Sequence, residues 1–373
     1  MRGYVGRRGS TWGYVVDVAP DPSTGKRRQR TKGGFPTRKA AEEAMRKAIA
    51  AGSAAGGDAQ KLADYLDEWL EAVGPRLRGT TASSYRIAVD RIKGGLGAAR
   101  LRDLTPMMIE RFYADLMRAG GRRGEGLSAK SVRNTHVVLR KALADGERLE
   151  ILVRNPAARA KPPTGERKET PTWTAAEVKA FLASVEDDPL YALWVLLATT
   201  GLRRGEALGL RWSDVDLDRG TLSVSQTVTT VDNRIAVTPP KSDRSRRRIG
   251  LDADTVRVLR DHKGDQSRDR ELLGGGPATL VFTDVDGGPV HPDHVTRRFQ
   301  RLVRRSGLPK LRGPHDLRHT WASLALAAGV HPKVVSDRLG HSTIAITIDT
   351  YSHAIPSLDA DAAATVAGQL FAS

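Results

Sequence analysis

Two segments that cannot form a packed core divide the 373-residue chain into three parts. Residues 51–57 read AGSAAGG and have the composition of a flexible linker. Residues 161–168 read KPPTGERK, a second linker that is charged and rich in proline. The chain should therefore fold as separate domains, which we place at residues 1–55, 58–160 and 170–373.

The first part is a small basic unit. Residues 11–18 alternate with period two and predict a strand, and a turn cluster at residues 21–25 leads to a second, basic strand. One side of the first strand is expected to carry Trp12, Tyr14, Val16 and Val18. Thr37 is placed to cap a helix over about residues 38–51. Twelve Lys or Arg residues against four Asp or Glu residues in the first fifty indicate a DNA-binding sheet, with a solvated hairpin as the alternative.

The second part has the apolar spacing of helices. Thr105 before Pro106 and Ser128 are typical N-caps, and the bundle is expected to end at Asn155. In the third part, Thr174 and Glu177 form a capping-box pattern ahead of helices and a short β segment. The predicted strands cover about residues 221–226, 234–238 and 246–251. The expected fold class is multidomain α+β: a small N-terminal β-sheet plus helix, a helical bundle, and a mainly α domain with a small antiparallel sheet.

Basic clusters in the third part precede a late tyrosine. Arg203 and Glu206 are three positions apart, so that on a helix the carboxylate can hold the guanidinium toward a phosphate; an ordinary ion pair is the alternative. Lys241 lies in a loop after two prolines, from which its amine can protonate a leaving oxygen. Residues 246–248 are interpreted as a basic loop that follows the phosphate backbone.

The later clusters supply histidines and the tyrosine itself. His315 and Arg318 face the same way at a predicted helix start, offering an imidazole for proton transfer and a planar guanidinium for phosphate oxygens. His341 follows, and Tyr351 comes ten positions after it. Tyrosine has a free pKa near ~10 and becomes a useful nucleophile where cations stabilise its oxyanion and the phosphorane that it forms.

The spacing of His315 and His319 is also that of a helical zinc pair. The residues between them are Asp316-Leu317-Arg318, which lack the glutamate of the metalloprotease pattern and place an arginine beside the cation. No metal site is therefore expected. His319 is expected to pack or hydrogen-bond within its helix.

The overall charge indicates the class of partner. A formal net charge of +17 and a sequence pI of about 10.3 favour a polyanion, with a solubilising surface charge as the alternative. The absence of cysteine excludes disulfides, thiolate chemistry and cysteine-based zinc sites. No apolar run approaches the ~20 residues that span a bilayer, and the N-terminus lacks the apolar region of a secretory signal. A cytoplasmic, nucleoid-associated protein without membrane partners is expected.

Taken in order, these residues resemble the pattern of the tyrosine site-specific recombinase family, of the phage-integrase type with an N-terminal arm-binding domain. The matching positions are Arg203, Lys241, His315, Arg318, His341 and Tyr351. The choice of Arg203 over Arg204 depends on the motif alone. The resemblance implies an arm-type DNA-binding domain in residues 1–55, a SAM-like core-binding domain in residues 58–160 and a catalytic domain in residues 170–373.

The resemblance also implies the chemistry. Tyr351 attacks a backbone phosphate and gives a 3′-phosphotyrosyl link and a free 5′-hydroxyl. The link keeps the phosphoester energy, so the reaction requires no cofactor. The two arginines stabilise the pentavalent state in place of a metal ion. Lys241 protonates the leaving oxygen, His315 transfers protons around the nucleophile, and His341 hydrogen-bonds the phosphate.

The implied function is integration and excision of a mobile element. Implied partners are double-stranded DNA attachment sites, further copies of the chain in a homotetramer on DNA, an excisionase and a host DNA-bending protein. After Pro356, the pattern of Leu358, Val366, Leu370 and Phe371 predicts a short amphipathic helix, packed either on its own domain or on a neighbouring copy. Two other classes were open: a type IB topoisomerase, against which the three-part layout argues, and a non-catalytic DNA-binding regulator, against which the complete residue set argues.

Overall fold

The computed structural model describes residues 3–18, 28–53, 60–121, 124–165, 170–240, 246–351 and 370. The chain divides into two compact units, residues 1–167 and 168–373. Lys241, the turn cluster at residues 21–25 and nearly all of the predicted C-terminal helix lie outside the described residues. Within the described ranges, no helix is both long enough and apolar enough to cross a membrane.

The first unit begins with a three-stranded antiparallel sheet and one helix. The strands are β1 (Gly3–Arg8), β2 (Thr11–Val18) and β3 (Arg28–Phe35), paired in that order, and α1 is Arg38–Ser53. Thr37 caps α1 as predicted, because its Oγ1 accepts a hydrogen bond from the Ala40 amide at 3.2 Å. The alternation predicted for β2 is incomplete: Val15 is buried beside Tyr14 and Val16, and the pairing register shifts between Trp12 and Tyr14. Strand β1 was not predicted.

The rest of the first unit is a helical bundle, as predicted. Its helices are α2 (Leu62–Val73), α3 (Gly79–Leu96), α4 (Pro106–Ala119) and α5 (Ala129–Arg148). Thr105 caps α4 through the Met108 amide, and Ser128 caps α5 through the Ser131 amide. The apolar stripes meet in one core, in which the buried Trp69 donates its indole N–H to Asp145 at 2.9 Å.

The second unit is mainly helical, with small antiparallel sheets, so the predicted fold class is confirmed. Its helices are α6 (Ala175–Ser184), α7 (Tyr191–Thr200), α8 (Arg204–Leu208), α9 (Ala253–Leu272), α10 (Pro292–Ser306), α11 (His315–Ala327), α12 (Pro332–Leu339) and α13 (Ile344–Tyr351). Its strands are β4 (Val215–Asp216), β5 (Thr221–Ser223), β6 (Thr227–Val231), β7 (Arg234–Thr238) and β8 (Arg248–Gly250). Strands β4, β5 and β8 form one sheet, while β6 and β7 form a hairpin that turns at Asp232 and Asn233, both with positive φ.

Two apolar clusters position the ends of the helices in the second unit. The larger one surrounds α7, whose Trp194 packs against Phe299 and whose apolar side chains are buried on all sides. The smaller one joins α11, α12 and α13 through Ala322, Leu326, Val335, Leu339 and Tyr351. The ring of Tyr351 is therefore part of a packed core, with 2% of its surface exposed.

Candidate active site

Three arginines from different elements converge on the last carbonyl groups of α12. Arg247 donates from Nε to the carbonyl oxygen of Arg338 at 2.5 Å. Arg318 donates from Nη2 to Leu339 at 2.6 Å, and Arg203 donates from Nη2 to Gly340 at 3.3 Å. The last carbonyl groups of a helix have no partner within it and lie at the negative end of its dipole, so they are suited to hold cations. We call these three side chains the arginine cluster.

The chain reaches Arg203 through a left-handed turn. Gly201 ends α7 with φ of 67°, and a Cβ added there would lie 2.9 Å from Leu339 Cδ2. The turn exposes the Gly201 carbonyl oxygen, which accepts from Arg318 Nη1 at 2.8 Å. Arg203 then stands at the N-cap of α8 rather than inside the helix, and its amide donates to Glu206 Oε2 at 2.9 Å. Arg203 and Arg318 are thus placed by the same turn.

Glu206 is a buried carboxylate shared by two members of the cluster. Its Oε1 accepts from Arg203 Nη1 at 2.7 Å, and both of its oxygens accept from Arg247, at 2.9 and 3.1 Å. Burial alone would raise the pKa of the Glu206 carboxyl, but the hydrogen bond from Arg247 and the charges of Arg247 and Arg203 lower it to about 2. Glu206 is therefore ionised at neutral pH, and the predicted Arg203–Glu206 contact is present.

Arg318 is the most enclosed cation of the cluster. It is 2% exposed, and it donates hydrogen bonds to the carbonyl oxygens of Gly201 and Leu339. Burial, with the neighbouring charge of Arg203, lowers the pKa of Arg318 to about 9. The group remains a cation at neutral pH, but a nearby anion would stabilise it further.

The structure supports the prediction made for Arg204 and corrects the one made for Arg247. Arg204 is held on α10 by Pro292 O at 2.8 Å and by Thr296 Oγ1, so the choice of Arg203 as the site arginine agrees with the geometry. The interpretation of Arg247 as part of an open basic loop was wrong, because its side chain is 7% exposed and bound to Glu206. Arg247 lies one residue before β8 and two positions before the buried Ile249, so alternation could have placed its side chain on the buried side, although it could not have identified Glu206 as its partner.

The two predicted site histidines lie near the arginine cluster. Burial, together with the charges of Arg318 and Arg203, lowers the pKa of His341 to about 4, and its Nδ1 lies 2.8 Å from Thr347 Oγ1. His315 begins α11 and has an exposed edge, yet the surrounding protein lowers its pKa to about 4 as well, assisted by the charges of His319 and Arg318. Both rings are neutral at physiological pH.

The hydroxyl of Tyr351 contacts a histidine that the sequence analysis had assigned elsewhere. Tyr351 Oη lies 2.7 Å from His319 Nδ1, with the ring centroids 5.6 Å apart. Of the two alternatives expected for His319, packing within its helix is present as its edge-to-face contact with His315, but its hydrogen bond goes to Tyr351 on another helix. Burial raises the pKa of Tyr351 to about 12, although the charges of Arg318 and Arg203 oppose the rise. The hydroxyl is protonated at neutral pH, and it can donate to the imidazole when His319 Nδ1 carries no proton.

The remaining expectations concern metals and the lysine. In the described ranges, no group of three histidine, cysteine or carboxylate residues could hold a metal ion. His315 and His319 meet edge to face, with ring centroids 5.1 Å apart. Lys241 lies outside the described residues, so its role stays a prediction.

The arrangement is suited to bind and react with a tetrahedral anion. Among the described residues, the site holds three guanidinium groups and one carboxylate. Arg203 and Arg247 contact the carboxylate while Arg318 binds main-chain carbonyl oxygens, which leaves an excess of positive charge in a partly enclosed site. A phosphate oxyanion satisfies planar guanidinium donors in pairs and gains most where water is excluded. A tyrosine hydroxyl beside the arginines adds a nucleophile to this anion site.

Three family models match successive parts of the chain. The phage integrase family matches residues 172–357, an arm DNA-binding domain matches residues 4–51, and the N-terminal SAM-like domain of phage integrases matches residues 61–117. Among curated relatives, the tyrosine recombinase XerC-like protein of Caldanaerobacter subterraneus subsp. tengcongensis is 30% identical over 329 residues, covering 82% of each chain.

Solved structures share the fold. The integrase of transposon Tn1549, in complex with a circular intermediate DNA, superposes with a TM-score of 0.68 at 20% identity, covering 81% of this chain and 98% of that one. A lambda integrase tetramer bound to a Holliday junction gives a TM-score of 0.60 at 21% identity, covering 93% and 94% of the two chains. At these identities, the likeness establishes the fold.

Proposed function

The chain belongs to the phage integrase family of tyrosine recombinases, which confirms the resemblance found in the sequence, and we propose that Tyr351 is its nucleophile. It is a site-specific DNA recombinase, an enzyme that cleaves and rejoins DNA. One observation carries the assignment of Tyr351: its ring is buried beside a cluster of three guanidinium groups and one carboxylate, where the charges of Arg318 and Arg203 act on its hydroxyl.

In the proposed reaction, Tyr351 Oη attacks a backbone phosphorus and displaces the 5′-oxygen, leaving a 3′-phosphotyrosyl link. Arg203 and Arg318 bind the non-bridging oxygens, on which charge develops in the pentavalent state. Glu206 and the carbonyl groups at the end of α12 hold these guanidinium groups before DNA arrives, so little reorganisation is needed during the reaction. We add Arg247 to the machinery as a positioning residue, because it secures Glu206.

Proton transfers complete the proposed reaction. Lys241 protonates the leaving 5′-oxygen, His341 hydrogen-bonds the phosphate, and His315 serves proton transfer near the nucleophile. The lowered pKa values of both histidines support these roles, because a neutral imidazole can accept as well as donate. The 5′-hydroxyl released by cleavage is the nucleophile of the reverse step, so the covalent link permits rejoining without an added energy source.

We further propose the organisation of the assembly. Residues 1–55 bind distal arm sites, residues 58–160 bind the core site, and residues 170–373 carry the chemistry; the three matching family models support this division. Four copies act together on paired double-stranded attachment sites of a mobile element, as the lambda integrase tetramer on its Holliday junction suggests. An excisionase and a host DNA-bending protein set the direction, and the enzyme works on the nucleoid in the cytoplasm.

Covalent trapping tests the nucleophile. Duplexes that span the junctions between the element carrying this gene and its flanking chromosome supply the substrate, with a nick placed so that the cleaved fragment diffuses away. The wild-type protein should form a covalent protein–DNA complex that survives denaturation, and Tyr351→Phe should bind the same duplex without forming one. Tyr191→Phe, a substitution in the same unit outside the site, is the matched control and should form the complex normally.

Two outcomes would contradict the proposal. A covalent complex formed by Tyr351→Phe would place the nucleophile elsewhere. Relaxation of supercoiled plasmid without any recombination between two junction-bearing plasmids would instead favour a topoisomerase-like activity.

A further inference from the structure

The residue in contact with the nucleophilic oxygen is not one of the six that match the family pattern. Tyr351 Oη and His319 Nδ1 are 2.7 Å apart, within the normal range for a hydrogen bond from a hydroxyl. The two side chains come from different helices, α13 and α11, and the tyrosine ring is locked in a packed core. Because each side chain is held by its own helix, their contact is suited to a proton transfer between two defined atoms.

We propose that His319 is a catalytic residue that accepts the Tyr351 hydroxyl proton through Nδ1 during DNA cleavage and returns it during rejoining. This inference depends on the proposed role of Tyr351 as the nucleophile. It assigns to His319 the first step of the proton transfer that the family pattern would give to His315.

Helix geometry explains how the start of α11 places both an arginine in the arginine cluster and a histidine beside Tyr351. Positions 315, 318 and 319 lie within about one turn of α11, where residues three or four apart share a face. Arg318 therefore projects into the arginine cluster while His319 reaches the tyrosine beside it. His315 stands edge-on to His319, with the rings at 88° and their centroids 5.1 Å apart.

The protonation states allow the Tyr351 hydroxyl to donate to His319. The hydroxyl of Tyr351 keeps its proton, since burial raises its pKa to about 12. Burial lowers the pKa of His319, with Asp316 opposing and Arg318 and Arg312 adding to the effect. A neutral His319 that holds its single proton on Nε2 accepts at Nδ1, and this is the tautomer that the proposed proton transfer uses.

The proposed cleavage step moves one proton from Tyr351 and one electron pair to the 5′-oxygen. Tyr351 Oη forms a bond to phosphorus, its proton moves to His319 Nδ1, and the P–O5′ bond breaks with the electron pair going to the 5′-oxygen. Lys241 supplies the proton for that oxygen in the proposed reaction. In rejoining, the 5′-hydroxyl gives its proton back to the lysine, the P–Oη bond breaks, and the tyrosine recovers its proton from the imidazolium.

The pH dependence of cleavage gives a readout that a purely structural role would not change. The titratable or charged groups near His319 are His315, Asp316 and Arg318 on α11, Arg312 before it, Tyr351 on α13 and His341 after α12. Only the neutral imidazole accepts the proton, so the rate of covalent-complex formation should fall as pH drops through the pKa of His319. Positioned general bases typically contribute about 10²–10⁴-fold.

His319→Asn is the informative variant, because its amide oxygen can accept the hydrogen bond near the position of Nδ1 but cannot take the proton. In single-turnover cleavage of the nicked junction duplex, we expect a fall of about 10²-fold or more and loss of the acid limb of the pH profile. The chain offers a matched control in the bundle: His136 Nδ1 lies 2.7 Å from the buried Tyr113 hydroxyl. His136→Asn should keep both the rate and the acid limb of bound wild-type protein.

The outcomes separate the two proposals. Cleavage by His319→Asn within about twofold of wild type, with the acid limb retained, would overturn the role of His319 while Tyr351→Phe still failed to react. Covalent trapping of Tyr351→Phe would instead overturn the assigned nucleophile. If His319→Asn does not bind DNA, His319→Ala assayed with added imidazoles replaces it. Rates that rise with the pKa of the imidazole support the proposal, and rates that ignore the imidazole contradict it.

Discussion

Replacing Glu206 with glutamine should reveal how far the arginine cluster depends on its carboxylate. Arg203 and Arg247 would keep their charges and lose the negative charge that both contact at 2.7 to 3.1 Å, and one of its two oxygens would become an amide donor. Removing one partner of a buried ion pair typically costs roughly 3–5 kcal/mol. The pKa gives a similar scale, because a fall from an ordinary value of 4.5 to about 2 corresponds to about 3 kcal/mol of unfolding free energy at neutral pH.

The sign of this shift fixes the pH window. The folded state holds the Glu206 carboxyl at a lower pKa than the unfolded state, so its contribution is complete above pH 4.5 and is lost as the pH falls toward 2. Between about pH 6 and about pH 3, roughly 2 kcal/mol of the stability difference between wild type and Glu206→Gln should disappear. Other carboxyl groups titrate in both proteins and cancel in the difference.

Urea unfolding of the full chain at several pH values measures the effect. Tryptophan fluorescence reports mainly the second unit, which holds four of the six tryptophans: Trp173, Trp194, Trp212 and Trp321. Asp188→Asn is the control, because this 5%-exposed carboxylate binds Arg298 at 2.8 Å outside the cluster. It should lower stability without slowing cleavage of bound DNA, whereas Glu206→Gln should impair both. A stability difference below about 1 kcal/mol, or one that does not change with pH, would refute the reasoning.

Further predictions concern Arg318, Gly201, cleavage without a metal ion and residues 1–55. Arg318→Lys should bind DNA but cleave it about 10²–10³-fold more slowly, since a lysine cannot reach both carbonyl oxygens; near-normal single-turnover rates would contradict this. Gly201→Ala should lower the unfolding free energy by about 1–3 kcal/mol, owing to its φ of 67° and the close approach of Leu339, and thermal unfolding would show it. Cleavage should continue in EDTA because guanidinium groups supply the positive charge, and strict dependence on added Mg²⁺ would count against that reasoning. Deleting residues 1–55 should abolish binding to distal arm sites in gel shifts while weak core-site binding persists, and unchanged recombination would argue against an arm-binding domain.

Local rules predicted much of the architecture. N-caps at Thr37, Thr105, Ser128 and Thr174 were found because capping requires a particular side chain one residue before a helix. Motif residues were found because they carry unusual chemistry at recognisable spacing. The Arg203–Glu206 contact followed from a separation of three positions, although the structure places Arg203 at the cap rather than within the helix.

The errors arose where distant segments decide the outcome. His319 contacts Tyr351 across 32 positions, and Arg247 contacts Glu206 across 41, so no local pattern reports either pair. Strand β1 contains two glycines and a pair of arginines among its six residues, which masks its alternation; it becomes a strand because β2 pairs with it. Long-range pairing thus supplied what composition and periodicity did not.

Each of the three clustered arginines has one anchor on a main-chain oxygen at positions 338–340, and these anchors do not depend on which side chains occupy those positions. Substitution there is limited by other demands: Leu339 must fill the core, and Gly340 must adopt a φ of 65°. Because these three peptide groups are consecutive in the chain, their carbonyl oxygens move together rather than separately. A displacement of the end of α12 by a fraction of a hydrogen-bond length would loosen one contact of each of the three cations together, so this helix end acts on the whole cluster alongside Glu206 and Gly201.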